Sequence, residues 1–183
     1  MRDYWDLKLD ELSDEQRRAH AAIASGPRGV VAGPLLVWLH SPKLAETAQA
    51  LGAYCRYHSH LEPRLSELAI VTVGAYWKAG YEWTAHAPLA RQAGISAEAL
   101  AAIRVGATPV FTKSDEAAVY EFATELLLNH SVSPSVFATA EGVLGESGVV
   151  DLTGILGYYT LISMTIRAFK VPVPEGQHDP FQM

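Results

Sequence analysis

The sequence predicts an all-α, single-domain fold of seven or eight helices. Three features carry that reading. Serine and proline helix starts recur along the chain, apolar residues between them follow a three-to-four-residue period, and the one strand-like segment has no evident partner. A length of 183 residues suits one domain, and a hydrophobic fraction of 49% supplies a sizeable core.

The elements follow in chain order. Ser13 with Gln16 has capping-box spacing and predicts a helix over about 13–24. Ser41-Pro42 reads as an N-cap followed by proline at the first helical position, and Ser133-Pro134 repeats the pattern. Pro63 opens another helix and Ser96 another, while Ser114-Asp115-Glu116 puts negative charge on an N-terminus, where the dipole favours it. Gly94, Gly106 and Gly148 stand where helices are expected to end. Ala118, Phe122, Leu126 and Leu127 recur at helical intervals, as do Leu152, Ile155, Leu156, Tyr159 and Ile162. Ala69-Ile70-Val71-Thr72-Val73 has the β-branched content of a strand. The preceding Pro63-Arg64-Leu65-Ser66-Glu67-Leu68 opens like a helix, so the segment reads as a helix buried on nearly every side. Residues 26–36, 107–113 and 171–183 read as irregular.

Composition narrows the function classes. Fourteen Lys and Arg against 20 Asp and Glu give a net charge of −6, and only Arg17-Arg18 pair, so no basic stripe invites nucleic acid. A single cysteine, Cys55, leaves no internal disulfide, no CxxC pair and no cysteine zinc site. Its neighbours Ala45, Leu51, Ala53 and Tyr54 read as packing surface. The N-terminus Met-Arg-Asp-Tyr-Trp-Asp lacks the apolar region of a signal peptide. The apolar runs 68–77 and 154–166 fall short of the roughly 20 residues that span a bilayer, so a cytoplasmic protein without a membrane partner is expected. GxGxxG, GxxxxGK[ST], GxSxG and HExxH are all missing.

Chemistry-bearing residues concentrate in 67–94, ELAIVTVGAYWKAGYEWTAHAPLARQAG. Glu67 has Ile70, Val71 and Gly74 as helical neighbours, so its carboxylate either has a partner or is costly to ionise. Arg64, one turn earlier, is the evident structural partner. Glu82 and His86 stand at i, i+4 on one helix face, with Trp83 and Leu89 flanking the imidazole. A carboxylate that fixes an imidazole's tautomer suits acid/base work near neutral pH, although a capping glutamate beside a satisfied histidine has the same spacing. Gly80 implies a helix break that puts Tyr81 and Glu82 at an N-terminus. His40 either faces a pocket or merely flanks a helix start. Trp38, Trp77, Tyr81 and Trp83 suit core packing or an aromatic pocket, and His58-x-His60 suits a solvated loop better than a metal fragment.

These motifs resemble the carboxymuconolactone decarboxylase and alkylhydroperoxidase-D-like (AhpD-like) superfamily, in the branch with a Tyr-Glu-Trp-x-x-His box. The resemblance rests on Leu39-His40-Ser41-Pro42, on Pro63 to Ile70, on Tyr81-Glu82-Trp83-Thr84-Ala85-His86 followed by Gly94, and on Val149-Val150-Asp151-Leu152 with Gly157-Tyr158-Tyr159. It covers about residues 35–170 and implies a helical bundle that assembles as a dimer, trimer or hexamer. It implies chemistry on a small molecule with neither metal nor organic cofactor, in a pocket between helices. The redox members use a CxxC before the histidine, at positions held here by Ala79 and Glu82, so dithiol chemistry does not carry over.

The resemblance therefore implies Glu67, Glu82 and His86 as catalytic residues. Tyr81, Trp83, Arg64 and His40 are the candidate substrate-binding residues, and Arg64 or Arg91 suits a substrate carboxylate because a guanidinium clamps it bidentately. The family's named reaction is decarboxylation of an unsaturated lactone acid. In that reading His86 is the acid, Glu67 its relay or orienter, and Glu82 the second carboxylate that positions His86 or the substrate. A non-catalytic oligomeric ligand-binding protein is the alternative, and a thiol peroxidase is a third reading that lacks its cysteines. Geometry adds one condition. A hairpin closed at Gly80 would leave Glu67 and His86 about 10 Å apart along the helices, so their meeting needs an earlier break near 76–80 or a second subunit.

Overall fold

In the computed structural model, which describes residues 3–27 and 29–182, all regular structure among the described residues is helical, with no strand. Met1, Arg2, Arg28 and Met183, which belong to the N-terminus, the 26–36 stretch and the tail discussed above, lie outside the described residues. Eight helices follow a short 3₁₀ turn: α1 (Asp14–Ala24), α2 (Pro34–Trp38), α3 (Pro42–Tyr57), α4 (Pro63–Tyr76), α5 (Gly80–Ala93), α6 (Ala97–Val105), α7 (Ser114–Asn129) and α8 (Pro134–Phe169).

The starts are those the sequence announces. Ser13 and Gln16 form the reciprocal capping box of α1, an arrangement worth about 0.5–2 kcal/mol. Ser96 and Ser133 cap α6 and α8 through their hydroxyls, and Pro42, Pro63 and Pro134 occupy first helical positions. Gly94 and Gly106 end α5 and α6 in the left-handed conformation. Helix α4 is buried without interruption from Arg64 to Gly74, which explains its strand-like composition: every face meets another element.

Helices α4 and α8 form the centre. Helices α5, α6, α7 and α8 pack on α4, while α2, α3, α5 and α7 pack on α8. By length and mean hydropathy α8 is the one described helix that could cross a bilayer, contrary to the expectation that every apolar run is too short. Most of its apolar window is instead buried against the other helices. Its boundary also differs from the expected end at Gly148. The helix is interrupted at Gly145, with φ 72° and ψ 170°, whereas Gly148 is helical and closely packed against Leu144. Helix α2 likewise takes Pro34–Leu36 out of the stretch expected to be irregular, because Pro34 begins a helical turn.

The α4–α5 connection positions the site. Helix α4 stops at Tyr76, and Lys78 takes a left-handed φ of 50° while the Ala79 amide donates to the Gly74 carbonyl. Glu67 thus lies nine residues before the end of α4 and His86 six after the start of α5. At 1.5 Å per residue the axial mismatch shrinks to about 5 Å, within side-chain reach. The carboxylate of Asp179, from the C-terminal tail, rests on Gly80. A Cβ there would stand 2.3 Å from Asp179 Oδ1, so any other residue would have to displace that carboxylate.

Candidate active site

Glu67 projects from α4 and both Glu82 and His86 from α5, so the three meet across the α4–α5 seam within one chain. His86 Nδ1 lies 2.7 Å from Glu67 Oε2, and Nε2 lies 3.0 Å from Glu82 Oε1. All three side chains are at most a tenth exposed. Burial alone pushes the imidazole pKa down, but the Glu82 charge and the hydrogen bond that the ring donates to Glu67 more than offset it and raise His86 to about 9. The ring is therefore an imidazolium at neutral pH, donating one N–H to each carboxylate. Edge-on contact with Tyr159, at 5.3 Å between centroids, fixes its plane.

A cavity of about 130 Å³ opens on one side of this triad. Glu82, His86, Tyr81, Tyr159 and Arg56 line it, with Val30, Ala32, Pro34, Leu35, Ala85 and Ile162 as an apolar wall. Glu67 is not in that lining: it stands behind the imidazole. Burial, reinforced by the Glu82 charge, raises the Tyr81 phenol above its ordinary value and keeps it protonated. The Tyr81 ring lies against Gly33, where an added Cβ would approach Tyr81 Cζ to 2.3 Å. Gly33, at φ 57°, thus brings the 30–35 wall against α5. A larger cavity, about 660 Å³, lies between α4, α6, α7 and Phe181, and neither a carboxylate nor an imidazole lines it.

Of the seven candidate site residues, Glu67, Glu82, His86 and Tyr81 come together and three do not. Arg64 is directed to α7, with Nη2 2.5 Å from Asp115 Oδ2 and Nη1 2.8 Å from Glu116 Oε1. It therefore neither pairs with Glu67 nor faces the cavity, because two carboxylates of the α7 N-terminus satisfy its fork. Its hydrogen bonds hold the Asp115 carboxyl below the usual range. His40 bonds the Tyr4 carbonyl at 3.0 Å and stacks edge-on with the Tyr4 ring, away from the cavity. Trp83 turns from the cavity to pack on Phe181. Arg91 lines a separate shallow hollow with Gly94 and Glu98. His60 is tied through Nδ1 to Asp151 at 2.7 Å, and among the described residues no group of three His, Cys, Asp or Glu side chains is arranged to hold a metal ion.

Arg56 and Tyr159 are the cavity residues that the sequence did not single out for a site. Tyr159 belongs to the apolar period of α8 and reads there as core. Arg56, the last-turn cation of α3, carries no local signal at all. Cys55 beside it is buried in the core.

Residues 42–125 match the carboxymuconolactone decarboxylase family. No curated protein matches the chain in sequence. Among solved structures, a cysteine-to-alanine variant of the debrominase Bmp8 in complex with 2,3,4-tribromopyrrole superposes with a TM-score of 0.74 at 12% identity. The match covers 96% of this chain and 93% of that one. The same debrominase without ligand gives 0.68 at 15%, covering 92% and 90%. An Agrobacterium tumefaciens protein of unknown function, described as an AhpD antioxidant-defence protein, gives 0.61 at 18%, covering 75% and 94%. The family match takes in α3 to α6 and with them Glu67, Glu82 and His86, and the helical architecture around it is shared with these structures. Over residues 42–125 the chain is thus similar to the carboxymuconolactone decarboxylase family, and its helical fold is the one these AhpD-like and debrominase structures share.

Proposed function

We propose that the protein is an acid/base enzyme acting on a small unsaturated lactone or carboxylic acid, with Glu82, His86 and Glu67 as its proton-transfer chain. One observation carries this reading: a buried imidazolium is held between two carboxylates, and its outer partner Glu82 faces a cavity. The family match over residues 42–125 and the fold shared with a debrominase support a catalytic role on a small molecule.

The geometry redistributes the roles expected from the sequence. Both imidazole N–H groups are engaged, so Glu82 is the group that exchanges a proton with substrate, and His86 reloads it through Nε2. Glu67 holds the opposite nitrogen and stabilises the cation. In a decarboxylation, the bond to the carboxylate breaks, CO₂ leaves, and the electron pair delocalises into the unsaturated lactone. The imidazolium passes its Nε2 proton to Glu82, Glu82 delivers that proton to carbon, and solvent then reprotonates His86. Proton return of this kind is worth about 10²–10⁴-fold. Isomerisation would use the same chain without loss of CO₂.

A second reading rests on the same saturation of His86. A triad whose members satisfy one another is also what a structural pin in a non-catalytic ligand-binding protein would show. Thiol peroxidase chemistry finds no support in the site, where Ala79 and Glu82 occupy the cysteine positions implied by the resemblance and Cys55 lies in the core. A turnover screen of unsaturated lactone acids in D₂O separates the first two readings. The proposal expects product or substrate carrying deuterium at carbon, lost in Glu82→Gln. A folded protein that binds such acids and incorporates none supports the ligand-binding reading.

A further inference from the structure

We propose that Arg56 is the specificity-determining residue of this cavity: it holds a carboxylate that the substrate keeps throughout the reaction. The inference rests on the acid/base reading and adds to it the charge pattern of the substrate. Among the residues lining the cavity of about 130 Å³, Arg56 is the only arginine or lysine. It forms no ion pair with any described residue, whereas Arg64, the other arginine near this region, is fully engaged by Asp115 and Glu116. The Arg56 guanidinium lies 5.3 Å from the centroid of the Tyr57 ring, a contact that leaves its edge donors available. A planar fork beside a phenol and an apolar wall suits a small, flat monoanion, which it can grip bidentately. The triad places two carboxylates against one imidazolium, so Arg56 also supplies the positive charge without which an anion would be repelled from Glu82.

The position of Arg56 bears on which bond reacts. An ion pair stabilises a carboxylate most when its charge is localised, that is, in the ground state, and less as that charge moves into a carbanion. A carboxylate gripped by Arg56 is thereby protected from leaving as CO₂. The substrate consequently carries either a second carboxylate, which departs near Glu82, or none that departs, in which case the chemistry is proton transfer alone.

The test compares binding of 2-furoate, a flat five-membered-ring carboxylate, with that of its neutral analogue furfuryl alcohol by isothermal titration. Wild type, Arg56→Lys, Arg56→Gln and the distant control Arg91→Gln are used, each checked for an unchanged melting temperature. Wild type and Arg91→Gln should favour furoate by about tenfold or more, Arg56→Gln should show no preference, and Arg56→Lys should fall between. Equal binding of acid and alcohol by wild type, no binding of either, or a preference that survives in Arg56→Gln would overturn the proposal. The two levels fail separately. Loss of preference in Arg56→Gln with no deuterium incorporation in any lactone acid sinks the acid/base reading and leaves the clamp. Incorporation with a furoate preference indifferent to Arg56 does the reverse.

Discussion

His86 Nδ1 stands 2.7 Å from Glu67 Oε2 although 19 residues separate the two, because the chain breaks at Tyr76 rather than at Gly80. That contact lies within one subunit and is completed on the other ring nitrogen by Glu82 at 3.0 Å. The imidazole is thus charged by its surroundings, and its titration reports directly on both carboxylates.

Replacing Glu67 by Gln keeps the volume and removes one source of the upward shift. The His86 pKa should fall from about 9 toward the ordinary histidine value, since burial continues to disfavour the cation. An NMR titration of the ring carbons checks this. A pKa unchanged in Glu67→Gln would mean that Glu82 alone sets the charge of the ring.

Stability should depend on pH in the alkaline direction. The folded-state pKa of His86 is raised from 6.5 to about 9, so its contribution is fully present below about pH 6.5 and is lost as pH rises through 9. Urea unfolding between pH 6 and 10 should show wild-type stability declining over that window. His86→Ala, already less stable, should lack this component of the decline. Parallel curves for the two proteins would contradict the charged-histidine assignment.

Arg64 should behave as a structural residue. Arg64→Met leaves Glu116 and Asp115 without their cation at the start of α7, and removing one partner of a buried ion pair costs about 3–5 kcal/mol. Its melting temperature should drop while KM, measured below that temperature, stays within a few-fold of wild type. A raised KM in a protein of normal stability would return Arg64 to the substrate.

Self-association is expected from the surface. Leu51, Tyr54 and Tyr57 on α3 and Val150, Leu161 and Met164 on α8 are large apolar side chains left exposed in the single chain. Light scattering should give a mass that is a multiple of 19.8 kDa at micromolar concentration. A monodisperse 19.8 kDa species would defeat this expectation.

Much of this architecture was legible because its signals are local. Capping serines, first-turn prolines and terminal glycines act within a few residues, and Ser13, Pro63, Ser96, Gly94 and Gly106 do in the structure what their chemistry dictates. Glu82 and His86 were readable for the same reason, since i, i+4 spacing places both on one face. What escaped depends on tertiary packing. Arg64 is three residues from Glu67, yet the pair it makes is with α7, about 50 positions away. Arg56 reaches the cavity only because α3 packs on α2 and α8, and no spacing within α3 encodes that. The break at Gly145 rather than Gly148 was ambiguous for a different reason: both are glycines in a helical run, and either could take the left-handed φ that the structure gives to Gly145.

The most direct test of the proton-transfer chain is a double-mutant cycle on Glu67 and His86, read on the same samples as deuterium incorporation and as melting temperature. If the two act as one unit, Glu67→Gln and His86→Ala each slow incorporation, His86→Ala by about 10²-fold or more, and the double variant is hardly slower than the slower single. Rate losses that simply add, or normal rates in variants that melt far below wild type, would contradict the account and leave the triad a structural pin.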